Sequence, residues 1–395
     1  MKSHSRSAWL ALVLALITTS SACAQEDEHL EKVRRVLSAT PLFDGHNDLP
    51  WAIRGQEGEP HSVQAYDLRG TTPGHTDIAR LRVGMVGAQF WSVYVNMASV
   101  EVGAARVQLE QIDIARQVIR AYPDVFEQAY TTSDVERIFG SRKVASVLGM
   151  EGGHAIENSL GALRAYYDLG ARYMTLTHSG NNDWADSGTD DPEHDGLTEF
   201  GEEVVREMNR LGMMVDLSHT SPETMNDALD VAEAPVIFSH SSAQAVPAHP
   251  RTVPDQVLRR LPDNGGVVMV TFVPAFISDA VRTFDGSGDP PRATLADVAD
   301  HIEHIRDVAG IDHVGIGSDF DGISDTPIGL EDVSTFPTLF AELSRRGWSE
   351  EDLAKLAGGN VMRVWRDAES AASRIQRTRG PSTATIEELD GRSIS

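Results

Sequence analysis

The feature that most narrows the fold is an alternation repeated along nearly the whole chain: a short apolar run, then a longer stretch with apolar residues at helical spacing. The apolar runs are Leu42 to Asp48, Val86 to Val95, Lys143 to Glu151, Arg172 to His178, Gly212 to His219, Ala234 to His240, Gly265 to Phe272 and His313 to Asp319. Runs of this length suit strands covered on both faces. Helical patterns lie between them, among them Val107 to Ala121, Ser159 to Leu169, Phe200 to Leu211, Pro222 to Val231 and Thr294 to Val308. In the last, Thr294 with Asp297 three residues on makes a capping-box-like start. Strand-then-helix order argues for parallel pairing through right-handed crossovers, and eight such units suggest a closed (β/α)8 barrel of the TIM type.

No linker rich in Pro, Gly and Ser divides the chain, so residues 25–369 read as one domain. The Gly-, Asp- and Pro-rich inserts Arg54 to Asp77 and Asp183 to Gly196 are expected as loops above the barrel. Residues 370–395 mix charge with small residues and are expected as an extended, polar tail. The formal charge of −25, with 59 acidic against 34 basic residues and no Lys/Arg-rich run, makes nucleic acid and anionic membrane surfaces poor partners.

Residues 1–24 stand apart. Lys2 and Arg6 precede the apolar run Ala8 to Ile17, which is followed by small polar residues and Ala22-Cys23-Ala24. This reads as a secretory signal peptide, too short in its apolar part to span a bilayer, and implies export to a periplasmic or extracellular compartment. Cys23 as a lipoprotein cysteine is the weaker reading, because Ser20 stands where such a signal normally has Leu. Cleavage after Ala24 removes the only cysteine, so a metal site in the mature chain must use His, Asp and Glu. No other stretch is long enough for a transmembrane helix.

Nearly every candidate strand ends in a residue able to bind a metal or move a proton. They are His46 and Asp48, Glu151, His178, His219, His240 and Asp319. In a barrel of this kind the C-terminal strand ends converge on one mouth, so these residues become neighbours. His46 and Asp48, two apart on a strand, can grip one ion. His-x-Asp alone is a weak signal, and a lone strand-end histidine is more often a core or rim residue than a ligand. Several on successive strands, with Glu151 in the segment Val147-Leu148-Gly149-Met150-Glu151-Gly152-Gly153, reverse that balance. Five donors exceed the needs of one catalytic zinc. A shared Glu151 would give two sites, His46, Asp48 and Glu151 on one side and Glu151, His219 and His240 on the other, with a bridging hydroxide as nucleophile.

The segments Phe43-Asp44-Gly45-His46-Asn47-Asp48-Leu49-Pro50, Gly149-Met150-Glu151-Gly152-Gly153, Leu176-Thr177-His178, Asp216-Leu217-Ser218-His219, Phe238-Ser239-His240-Ser241, His249-Pro250-Arg251 and Gly315 to Gly322 resemble the membrane (renal) dipeptidase family of zinc peptidases. The likeness runs in order from about Val33 to Trp365. It implies an amidohydrolase-type barrel with two Zn2+ ions that hydrolyses dipeptides, those with a D-residue at the C-terminal position included as an option. Residue by residue it implies His46 and Asp48 on one ion, Glu151 as bridge, and His219 and His240 on the other. It further implies Asp319 as acid/base, His178 as stabiliser of the oxyanion, and Arg251 as binder of the substrate carboxylate. His178 capping its strand and Arg251 pairing with Asp255 are the plain alternatives. His154 and Asp216 suit the orientation of ligands, while His249, His313 and Asp321 are weaker candidates.

One departure stands out. Vertebrate members have an Asn-Phe-Tyr sequence whose tyrosine lies near the substrate carboxylate, whereas this chain has Thr271-Phe272-Val273-Pro274. The carboxylate pocket is therefore expected to be looser or rebuilt. Two other functions stay open on sequence: an amidohydrolase-type hydrolase of N-acyl amino acids or lactones, and an exported barrel that binds metal without catalysis. Assembly as a homodimer is a further option.

Overall fold

The structure, a computed structural model, describes residues 28–244 and 249–392. The secretory-signal reading and Cys23 lie outside the described residues. Eight parallel strands close on themselves: β1 (Leu42–Asn47), β2 (Val86–Ser92), β3 (Val144–Glu151), β4 (Ala171–Thr175), β5 (Met214–Asp216), β6 (Ile237–Ala243), β7 (Val267–Val270) and β8 (Val314–Ile316). Each pairs with the next, and β8 returns to β1 with Ile316 beside Asp44. The (β/α)8 barrel is the observed fold. Short strands at Phe126–Gln128 and Thr252–Val253 pair outside this circuit, with β3 and β6 respectively.

Period-two patterning sorts the strand residues into two cores. One side chain set, with Ala88 and Phe90, Ala145 and Val147, Val267 and Met269, Phe43 and Tyr173, fills the barrel interior. The intervening residues pack outward on the helices. Phe43 stacks on Phe90 at 4.8 Å, Phe90 meets Tyr173 at 4.9 Å, and Trp365 lies edge-on to Phe43 at 6.5 Å. This aromatic column carries the Tyr173 hydroxyl up to the mouth. Gly149 is required by it: a Cβ there would lie 2.1 Å from the Tyr173 ring.

The helices fall close to their expected bounds. Residues Ala104–Ala121, Leu160–Asp168, Glu199–Leu211, Pro222–Val231 and Leu295–Ala309 are helical, and Thr294 with Asp297 forms a complete capping box. Several strands stop earlier than expected. β4 ends at Thr175, β5 at Asp216 and β8 at Ile316, so His178, His219 and Asp319 sit just beyond the sheet. There the backbone must turn to aim a side chain inward, and His219 and Asp319 adopt left-handed φ values of 71° and 67°.

The expected extended tail is a correction. Helix Asn360–Ile375 continues past residue 370, because Ala371, Ala372 and Ile375 prolong the apolar stripe begun at Val361. Beyond it a further helix, Ile386–Leu389, buries Ile386. Asp390 accepts a hydrogen bond from the Phe200 amide at 3.1 Å, so the polar residues there dock on the barrel's helices. Among the described residues no helix is long and apolar enough to cross a membrane.

Candidate metal centre and active-site cavity

At the C-terminal mouth of the barrel, the side chains picked out along the sequence come together around Glu151. It closes β3, is 4 % exposed, and sends its two oxygens in different directions. Oε2 lies 3.4 Å from His46 Nε2. Oε1 lies 2.9 Å from His219 Nε2, 3.3 Å from His240 Nε2 and 3.7 Å from His178 Nε2. Asp48 Oδ2 stands 3.2 Å from His46 Nε2, and Asp319 joins the cluster of His46 and Asp48.

Ordinary hydrogen bonding does not account for this geometry. His219 Nε2 and His240 Nε2 face each other at 2.9 Å, and His46 Nε2 and Asp48 Oδ1 are buried without a hydrogen-bond partner. Unpaired buried polar atoms are costly, and converging lone pairs of imidazole and carboxylate are what a divalent cation needs. The donor set, all nitrogen and oxygen, fits zinc. Gly322 makes room for it: a Cβ there would meet Asp48 Oδ2 at 2.3 Å and Asp319 Oδ1 at 2.6 Å.

The electrostatics divide the imidazoles: burial works against a charge on His46, but Tyr173, Glu151 and Asp48 hold it well above the ordinary imidazole value, so a cation there would displace a proton. Burial opposes ionisation of Glu151, but His46, His219 and His240 outweigh it and hold its carboxyl well below the usual range. Burial brings His240 down to about 3 and pushes His219 well below the ordinary imidazole value, so both are neutral, the form that ligates metal. Asp319 is driven well above the carboxylate range, first by burial and then by Asp48 and Glu151. A carboxyl able to carry a proton thus stands beside an ionised one.

Asp48, Glu151, His178, His219, His240 and Asp319 line a cavity of about 410 Å3 that also includes Trp51, Tyr94, Arg251, Val273, Phe276 and Ile323. Arg251 does not pair with Asp255, which takes His304 at 2.8 Å instead. It is 5 % exposed, lies over the Phe276 ring at 5.3 Å, and leaves Nη1 without a partner; burial brings it down to about 10. His178 does more than end a strand: its ring lies 4.6 Å from Tyr94 and 4.2 Å from His219. The insert expected as a loop above the barrel braces this wall. Ser187 Oγ donates to the His178 carbonyl at 2.6 Å, and the Gly188 amide donates to the His219 carbonyl at 2.7 Å.

The weaker candidates separate. Asp216 is fully buried and accepts hydrogen bonds from Thr175, Ser218 and Ser239, behind the ligand set. His249 stacks on Phe276 at 4.4 Å, Asp321 accepts from the His75 amide, and His313 bonds the Gly266 carbonyl at the far end of β7. His154 is buried but does not line the cavity. Sequence reasoning missed Tyr173, Ser239, Trp51, Tyr94, Phe276 and Ile323. Tyr173 and Thr175 had a signal, being polar groups two apart within an apolar strand; the others acquire meaning only from the strands beside them.

A parallel (β/α)8 barrel with imidazoles and carboxylates gathered at its C-terminal mouth is the arrangement of a metal-dependent hydrolase. Residues 30–379 match the membrane dipeptidase family, peptidase family M19, and the chain belongs to that family. It is accordingly a metal-dependent dipeptidase. Among solved structures it is similar to the probable dipeptidase PvdM from Pseudomonas aeruginosa, with 25 % identity, a TM-score of 0.77, and coverage of 88 % of this chain and 100 % of that one. It is also similar to dipeptidase AC, an M19 metallopeptidase, at 28 % identity and TM-score 0.74 over 83 % of this chain and 98 % of that one. A third similar structure is a metallopeptidase from Rhodobacter sphaeroides bound to a phosphinate mimic of L-Ala-D-Ala, with 27 % identity, TM-score 0.74, and coverage of 83 % and 99 %.

Proposed function

We propose that this chain is an exported dinuclear zinc dipeptidase in which Glu151 would be the carboxylate shared by the two ions. The observation that carries the reading is the divergence of the Glu151 oxygens, one toward His46 and the other toward His219 and His240. His46, Asp48 and Glu151 would hold one Zn2+, and Glu151, His219 and His240 the other. Bound zinc supplies Lewis-acid polarisation of the scissile carbonyl and a water ionised near neutral pH as the nucleophile.

The chain's own residues do the rest. Arg251 presents a buried guanidinium to the substrate's terminal carboxylate, a planar donor matched to a planar acceptor. This sets which end of the dipeptide lies toward Val273 and Phe276. His178, at the cavity wall, donates to the carbonyl oxygen as negative charge develops there. Asp319 accepts the proton of the attacking water and delivers it to the leaving amine, a task suited to a carboxyl that burial keeps protonatable. The mimic bound by the Rhodobacter sphaeroides relative supports dipeptides with a D-residue at the C-terminal position as substrates. Export rests on the N-terminal sequence.

The test is metal analysis with a substrate panel. Protein dialysed against zinc is expected to hold two ions per chain, and Glu151→Gln to weaken both. Dipeptides, run beside N-acyl amino acids and lactones, should be the preferred substrates and chelation should abolish turnover. One ion per chain, or preferred hydrolysis of the other classes, would overturn the reading.

A further inference from the structure

Two of the metal-facing imidazoles are oriented by hydroxyl groups, and the direction of those hydrogen bonds is determined one group further back. Ser239 Oγ lies 2.8 Å from His240 Nδ1 and 2.6 Å from Asp216 Oδ2. The serine hydroxyl has a single proton. Asp216 accepts from the Thr175 hydroxyl at 2.6 Å, from the Ser218 amide at 3.1 Å and from the Ser239 amide at 2.8 Å, as an ionised carboxylate does. It therefore takes the Ser239 proton as well, leaving Ser239 Oγ to accept from His240 Nδ1. That places the lone pair of His240 on Nε2, the atom turned toward Glu151.

The same logic applies across the barrel. The Tyr173 hydroxyl lies 3.2 Å from the Gly45 carbonyl and 3.0 Å from His46 Nδ1. A carbonyl only accepts, so the phenol donates to it and accepts from His46 Nδ1, again leaving Nε2 free to ligate. His219 differs: its Nδ1 is buried without a hydrogen-bond partner, and its aim comes from the left-handed backbone at φ 71°.

We infer that Asp216 and Tyr173 are positioning residues that each govern the metal affinity of one of the two positions, Asp216 acting through Ser239 on His240 and Tyr173 acting directly on His46. This rests on the dinuclear reading above. With an amide in place of the Asp216 carboxylate, Ser239 is free to donate to His240 Nδ1, which moves the ring proton to Nε2 and blocks ligation. Partners of this kind change metal affinity by about 10–100-fold.

The test uses the full chain and zinc alone, with occupancy counted after equilibrium dialysis against graded zinc buffers. Asp216→Asn is expected to weaken one of the two ions about 10–100-fold and to add nothing further in a His240→Ala background. Tyr173→Phe is expected to weaken the other ion and to keep its full effect in that background. Ser239→Ala repeats the first arm should Asp216→Asn fail to fold. Unchanged affinities, equal loss of both ions, or additive effects of Asp216→Asn and His240→Ala would overturn the inference. A wild-type chain that holds fewer than two zinc ions would overturn the dinuclear reading, whereas two tightly held ions with indifferent variants would overturn this inference alone.

Discussion

Glu151, buried, and Asp319, half-buried, are carboxyl groups in one cavity, yet their surroundings push them in opposite directions. Of the four imidazoles around Glu151, His46, His219 and His240 keep it ionised against burial, while burial and then two neighbouring carboxylates make Asp319 resist ionisation. One is therefore suited to holding cations and the other to moving a proton. Asp319→Asn removes the proton carrier but leaves the Glu151 cluster whole. We expect zinc content to stay unchanged and kcat to fall by about 10²–10⁴-fold, measured by metal analysis beside steady-state kinetics. An undiminished kcat would remove Asp319 from the acid/base role. Arg251→Ala should act on binding: KM for a dipeptide with a free terminal carboxylate should rise about 10–100-fold, the worth of a charge-assisted hydrogen bond. A C-terminally amidated dipeptide should feel little of that change, and an equal effect on both would refute the assignment.

The strands place these groups, and small residues let them do so. Gly149 is buried against the Tyr173 ring, and Gly322 lies against two carboxylates. Gly149→Ala would force the tyrosine aside, at a cost of about 1–3 kcal/mol from overpacking, and would draw the phenol off His46. Denaturant unfolding of metal-free protein should register the first effect and zinc affinity the second. Where the strands end matters as much. His219 and Asp319 reach the mouth only because the backbone beyond β5 and β8 turns through left-handed conformations, strain of about 1–3 kcal/mol per residue. The packed barrel beneath sustains that strain.

For the molecule as a whole, the charge of −25 and the buried carboxylates at the mouth both make metal a structural as well as a chemical partner. A ligand present at a hundred times its Kd stabilises the state that binds it by about 2.7 kcal/mol. Chelation is therefore expected to lower Tm and restored zinc to raise it again, as scanning calorimetry would read. A Tm indifferent to zinc would argue against tight binding at this cluster.

Much was legible in the sequence because two of its patterns have direct physical meaning. Short apolar runs separated by helical periods favour parallel strands covered on both faces, and the runs from Leu42 to Asp319 are enough of them to close a barrel. Polar, metal-capable residues at the ends of such runs pointed to His46, Glu151, His219 and His240 as neighbours, and the structure brings them together. The tail was misjudged because the alanines after residue 370 look neutral in sequence and reveal their role only against helix Glu199–Leu211. Strand ends were also misplaced, since where a strand stops depends on its neighbours. Which oxygen of Glu151 faces which imidazole, that Arg251 meets Phe276 and not Asp255, and that hydroxyls orient His46 and His240 were decided by the tertiary structure alone. These are relations between side chains far apart in sequence, and barrel closure brings them within bonding distance.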